Sequence, residues 1–191
     1  MARPLGFDPE EAKTALMNIF WARGYEATSM QDIEVATGLR KQSLYRLFGD
    51  KHSMYLAALR TYEDCVVAEA ERILGQTPGS ARARFAALLD WVIRSASDAG
   101  DVRGCFLANA SAEASAADPE TAEVLAIMSG RMASAFDGAL SADARYRDDA
   151  GLRRARMRHL LAAYVGLRIL VKGAFDEAAM REAADDLLLS I

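Results

Sequence analysis

The sequence predicts an all-α protein of about nine helices, and three observations carry that prediction. Alanine is abundant while valine, isoleucine, threonine and the aromatics are sparse, a balance that favours helix over strand. Apolar residues recur at helical spacing from one end of the chain to the other, with no run of strand-like alternation. Helix-start signals of one kind, an aspartate before proline or glutamate, repeat at Asp8-Pro9-Glu10, Asp118-Pro119-Glu120 and Asp176-Glu177. With 52% hydrophobic residues in 191, the chain can bury one or two real cores.

The first helix is expected from Asp8 to about Gly24. Asp8 offers an N-cap carboxylate and Pro9 suits the first helical position. Ala12, Ala15, Leu16, Ile19 and Phe20 form one apolar stripe, and Gly24 is a natural stop. A second start follows at Thr28-Ser29-Met30-Gln31, where a threonine with glutamine three residues on has the capping-box order. That helix ends at Gly38 after barely two turns, so its stability must come from packing.

The stretch GLRKQSLYRLFGDK, residues 38–51, comes next. Leu44, Leu47 and Phe48 sit at i, i+3 and i+4 and face inward, while Lys41, Gln42, Ser43, Tyr45 and Arg46 are presented on the other side. Gly49-Asp50 is a turn and cap. A long helix is expected from Lys51 to about Leu74, and Gly75–Ser80 breaks it. Further helices are expected near 81–99, 103–115, 119–140, 147–173 and 177–190. The implied organisation is an N-terminal three-helix domain over 1–50 and a helical domain over 51–191, joined by the helix that begins near 51.

Charge is divided in the same way. The formal net charge is −4. Residues 1–60 hold eight Lys/Arg against seven Asp/Glu, and residues 61–191 hold fifteen against twenty. Within 40–51 the cations Arg40, Lys41, Arg46 and Lys51 face Asp50 alone. A local patch of this kind can hold phosphates even on an acidic chain. Two short helices, a glycine turn between them, and cations, amides and an aromatic hydroxyl on the outer face make a helix-turn-helix.

The run from Phe20 to Leu59, FWARGYEATSMQDIEVATGLRKQSLYRLFGDKHSMYLAAL, resembles the DNA-binding domain of the tetracycline-repressor (TetR) family. The matching features are Phe20, Gly24-Tyr25, Thr28-Ser29-Met30, Ile33, Ala36, Gly38, Ser43-Leu44-Tyr45, Phe48 and Lys51, in identity and in spacing. The stretches GCFLANASAE at 104–113 and AAYVGLRILVKGAFDEAAMREA at 162–183 are similar to the family with less specificity. The resemblance implies that Gln31, Lys41 and Gln42 approach base edges, with Arg46 a further candidate. It implies that Ser29, Ser43, Tyr45, Lys51 and His52 hold phosphates, that Thr28 caps the second helix beside them, and that Arg3 adds a backbone or minor-groove contact.

For the C-terminal region the resemblance implies a small-molecule pocket among Tyr62, Val66, Phe85, Leu88, Trp91, Phe106, Asn109, Met128, Met132 and Phe136. Composition alone shows only a core there. Ala163, Gly166, Leu167 and Leu170 form a stripe on the penultimate helix, and Ala179, Met180, Ala183, Leu187 and Leu188 form one on the last. Two such helices per subunit suit a four-helix dimer interface, and the same stripes suit the subunit's own core.

The expected function is a ligand-responsive DNA-binding regulator, a repressor that dimerises on a palindromic operator and is released by an inducer. The alternatives are a constitutive regulator without inducer, or a thiol-responsive one acting through Cys105. No nucleophile–base set, P-loop or dinucleotide fingerprint is present, so an enzyme is not expected. No cofactor or metal is expected, since neither His nor Cys occurs at metal-ligand spacing. Two distant cysteines, no bilayer-length apolar run and an N-terminus unlike a signal peptide lead to the expectation of a soluble cytoplasmic protein with no membrane partner.

Overall fold

A computed structural model describes residues 8–98, 100–113, 117–174 and 176–191. Among them every regular element is helical. They are α1 Pro9–Arg23, α2 Met30–Thr37, α3 Lys41–Phe48, α4 Lys51–Tyr62, α5 Ala68–Gln76, α6 Ala81–Ser97, α7 Phe106–Ser111, α8 Pro119–Ser141, α9 Ala144–Arg147, α10 Ala150–Ala174 and α11 Glu177–Leu189. The caps explain most boundaries. Asp8, Asp50 and Asp176 each accept from first-turn amides of the helix they precede. Gly24 and Gly38 close α1 and α2 at positive φ.

Three starts and joints differ from expectation. The N-cap of α2 is Ser29, with Asp32 completing the box reciprocally, so the pair is shifted one residue from Thr28 and Gln31. Thr28 instead is buried and donates through Oγ1 to the Gly24 carbonyl at 2.6 Å. The helix expected over 51–74 is interrupted by a π-helical turn, Glu63–Val67, which separates α4 from α5. The helix expected over 147–173 begins instead at Ala150 as α10, preceded by a short α9 that ends at Arg147, with Asp149 accepting from Leu152 N–H at 2.8 Å.

The chain forms two compact units. Of the described residues, one comprises 8–65 together with 109–113 and 117–126, and the other comprises 66–98, 100–108, 127–174 and 176–191. The division therefore falls in the π-turn rather than near residue 50, because α1 lies along α4 and holds it in the first unit. The core of that unit is Leu16, Phe20, Ile33, Leu44, Met54, Tyr55 and Leu59, all fully buried. The Phe20 and Tyr55 rings meet edge to face at 5.2 Å, and Trp21 and Tyr62 do so at 4.9 Å. Each large apolar side chain so buried stabilises by about 1.5–3 kcal/mol. This offsets the marginal length of α2 and α3, eight residues each.

In the second unit α6 packs against α5 and α11, and α10 touches α6, α9 and α11. Phe85, Phe136 and Tyr164 form an edge-to-face series with centroid spacings of 5.0 and 5.6 Å. Glu71 on α5 pairs with Arg131 on α8, whose Nε donates at 2.8 Å, and that hydrogen bond holds the Glu71 carboxyl below its usual range. No helix among the described residues is long and apolar enough to cross a membrane.

Candidate nucleic-acid interface

The candidate recognition surface is built on α3. Leu44 is fully buried against the first unit's core, and Leu47 and Phe48 are half-buried beside it. With that face fixed, Lys41, Gln42, Tyr45 and Arg46 are exposed and Ser43 is half-buried. The Lys41 ammonium lies 5.6 Å from the ring centroid of Tyr45, a residue 43% exposed. This face offers cationic donors, an amide and a phenol hydroxyl, the chemistry that phosphates and base edges require.

Flanking groups extend it. Gln31 is exposed on α2. Ser29 is exposed at its start, with its hydroxyl donating to Asp32 at 2.6 Å. Lys51 opens α4, its ammonium 4.4 Å from the centroid of Tyr25. The acidic groups close by are occupied by local donors. Asp50 accepts from Ser53 N–H at 2.8 Å, which keeps its carboxyl below the usual range. Asp32 is bound by the Ser29 hydroxyl, the Ser29 amide and the Arg23 guanidinium, and its pKa falls to about 2.

Three expected site residues stand differently. Arg3 lies outside the described residues. Thr28 is a buried strut of the turn rather than a cap facing outward. His52 is engaged inside the unit. Its Nε2 is 2.9 Å from Asp118 Oδ2 and 3.3 Å from Thr121 Oγ1, and its Nδ1 is 3.7 Å from Glu120 Oε2. Two carboxylates beside the ring make it a poor phosphate ligand. Nothing near His52 in sequence signals these partners, which arrive from 66 to 69 residues away.

The same distant segment supplies another contact that sequence reading missed. Glu113 Oε2 accepts from the Tyr25 amide at 2.8 Å, just after α1. A further one lies within the helix-turn-helix, where Glu34 Oε1 on α2 accepts from the Lys41 amide at 2.6 Å. The absence of Ser, Thr, Asp or Asn at position 40 was the available signal that α3 needed a cap from elsewhere.

Of the residues expected to line a ligand pocket, Phe85, Phe106, Met128, Met132 and Phe136 are buried in the second unit, and Val66 and Trp91 are half-buried there. Tyr62 and Asn109 belong to the first unit, where Tyr62 packs on Trp21. Two clefts are lined by other residues. One of about 440 Å³ runs along Leu47, Phe48, Ser53, Leu56, Ala57, Arg60, Glu120 and Glu123. The other, about 230 Å³, lies between α6 and α11. Among the described residues no group of His, Cys, Asp or Glu is placed to hold a metal ion.

The expected dimer stripes are split by the fold. Leu167 and Met180 are buried within their own unit, whereas Leu170 is 55% exposed and Ala179 is exposed. Ala163, Gly166, Ala183 and Leu187 are half-buried. Ile169, 54% exposed, and Leu189 join the outward face and were not anticipated. Arg168, near the buried Cys105, turns inward instead, donating to the Gly104 carbonyl at 2.6 Å and the Tyr164 hydroxyl at 3.0 Å. Burial raises the Tyr164 pKa, against the pull of that guanidinium.

Residues 14–58 match the family described as bacterial regulatory proteins, tetR family. Among known relatives, the HTH-type transcriptional regulator YezE of Bacillus subtilis (strain 168) is 29% identical over 137 residues, 71% of this chain and 70% of that protein. The HTH-type transcriptional repressor ComR of Escherichia coli (strain K12) is 33% identical over 107 residues, 56% of this chain and 51% of ComR. Among solved structures, a cysteine mutant of the TetR family transcriptional regulator CifR complexed with 26-bp operator DNA superposes with a TM-score of 0.84. It is 25% identical, over 99% of both chains.

Proposed function

That the chain belongs to the TetR family of DNA-binding transcriptional regulators is the premise from which we propose that it acts as a cytoplasmic homodimeric repressor, released from a palindromic operator by a small-molecule inducer. The observation that carries the DNA-binding part is the outer face of α3, where Lys41, Gln42, Tyr45 and Arg46 stand exposed on a helix anchored by Leu44. Lys41, Gln42 and Gln31 approach base edges, with Arg46 beside them. Ser29, Ser43, Tyr45 and Lys51 hold phosphates. His52 is left out of that set because Asp118 and Glu120 occupy it.

One helix of eight residues reads few base pairs, which is the physical case for a dimer. The exposed apolar residues Ile169 and Leu170 on α10, with Ala179 on α11, support an interface on those helices. Two recognition helices then enter major grooves about 34–36 Å apart, or a multiple of that. The repressor sense is supported by ComR, which is a repressor. Release by an inducer calls for a coupling of about 1–3 kcal/mol between ligand and operator.

The test is a gel-shift series with DNA from upstream of the protein's own gene. Lys41→Ala and Tyr45→Ala should weaken binding to that DNA. Gln42→Ala should relax sequence preference more than it weakens nonspecific binding. Wild-type affinity in all three variants would sink the assignment. Sedimentation of wild type as a monomer at micromolar concentration would remove the dimer, and an operator affinity unmoved by any bound ligand would remove the switch.

A further inference from the structure

The start of the recognition helix breaks a rule that most other helices of this chain obey. The N-caps of α1, α2, α4, α6, α9 and α11 are Asp8, Ser29, Asp50, Ser80, Asp143 and Asp176, and each side chain accepts from a first-turn amide. The N-cap of α3 is Arg40, which makes no side-chain cap hydrogen bond. A guanidinium has no acceptor to offer, and a cation is disfavoured at the positive end of the helix dipole. The side chain is exposed, so packing does not explain its presence. A local rule broken without packing gain marks a functional position.

The missing acceptor comes from the preceding helix. Glu34 Oε1 takes the Lys41 N–H at 2.6 Å from seven residues upstream, while Ser43 and Leu44 N–H turn back to the Arg40 carbonyl at 2.8 and 3.1 Å. A carboxylate at this end also favours the dipole that Arg40 opposes. Left loose on the DNA-facing side, Glu34 would repel phosphates. Held on the Lys41 amide, it faces the helix end.

We propose that Arg40 is a DNA-backbone contact and that Glu34 is the positioning residue which caps the recognition helix in its place. The inference rests on the DNA-binding reading above. Arg40 lies one residue before Lys41, at the helix end that enters the groove, and a guanidinium can grip a phosphate with two parallel donors. Glu34 acts through α3, keeping the first turn wound so that Lys41 and Gln42 keep their pose.

The experiment compares wild type with Arg40→Ser, Glu34→Ala, Glu34→Gln and the double variant Glu34→Ala/Arg40→Ser. Affinity is read by fluorescence anisotropy from 50 to 300 mM salt, a range chosen to expose the slope, on a duplex from upstream of the gene and on an unrelated duplex of equal length. Hydrogen exchange of the 41–44 amides is read without DNA. Arg40→Ser should bind both duplexes roughly eightfold more weakly at 0.1 M salt, with the log–log salt slope smaller by about 1. Glu34→Ala should bind roughly fivefold more weakly with unchanged slope, and its 41–44 amides should exchange faster by a similar factor.

Glu34→Gln keeps an acceptor oxygen and should exchange near wild type. In the double variant the serine hydroxyl restores a local cap at the second and third helical amides, so exchange at 42–44 should return to wild type and affinity should equal that of Arg40→Ser. An unchanged salt slope in Arg40→Ser would overturn the contact. Fast exchange persisting at 42–44 in the double variant, or unchanged exchange in Glu34→Ala, would overturn the cap. Wild type binding neither duplex would overturn the DNA reading and the Arg40 contact with it, while the exchange data would still decide Glu34.

Discussion

Replacing Gly24 by alanine tests how the turn after α1 is built. Gly24 sits at φ 82° and ψ 173°, a region that is essentially glycine's alone. Forcing an alanine into it costs about 1–3 kcal/mol. The added Cβ would also lie 2.5 Å from Glu113 Oε1 and 3.1 Å from its Cδ. Glu113 is a flexible side chain and can withdraw, but withdrawal stretches or breaks its bond to the Tyr25 amide. A hydrogen bond to a charged group contributes about 1.5–3 kcal/mol when buried, and part exposure here reduces that to about 1 kcal/mol. The expected destabilisation is therefore about 2–4 kcal/mol. In a chain of 191 residues each kcal/mol lowers Tm by about 2–4 °C, so Gly24→Ala should melt roughly 5–15 °C below wild type by circular dichroism. In a Glu113→Ala background the same substitution should cost about 1 kcal/mol less, since the clash is gone. A drop under about 2 °C would refute the backbone argument, and strict additivity with Glu113→Ala would refute the clash.

Leu44→Ala should lower stability by about 3–5 kcal/mol in urea unfolding, because the side chain is fully buried and α3 has little else holding it. It should also abolish operator binding in gel shifts under conditions where the protein remains folded, and a loss below about 1 kcal/mol would show that α3 is anchored otherwise. Asp32 has its folded pKa depressed to about 2 by the Ser29 hydroxyl and amide and by Arg23. Its contribution is thus complete above about pH 4 and lost as pH falls through about 2. Asp32→Asn should make Tm fall less steeply than wild type between those values, and equal slopes would refute the linkage.

Much of the helix-turn-helix was legible because its signals are local. The Asp8-Pro9 start, the Gly24 and Gly38 stops and the Asp50 cap each act within a turn of the residues that announce them. The apolar period of 44, 47 and 48 fixed which face of α3 is presented, and the structure exposes the opposite residues. The error at Thr28 has a physical source. Two adjacent hydroxyls offer equal caps on paper, and the choice fell to Ser29 because Thr28 is drawn into the core and bonded to Gly24.

The sequence by itself determined the helical class, the places where most helices begin and end, and the concentration of cations on one short helix. Backbone dihedrals, caps and 3.6-residue periodicity are short-range, and they are written in neighbouring residues. Only the tertiary structure decided that Asp118 and Glu120 take His52 and that Glu113 reaches the turn at Tyr25. It also decided that Leu167 and Met180 turn inward while Leu170 stays out. Those outcomes depend on which distant segments pack together, and a side chain's partners 60 to 90 residues away leave no mark on the sequence around it.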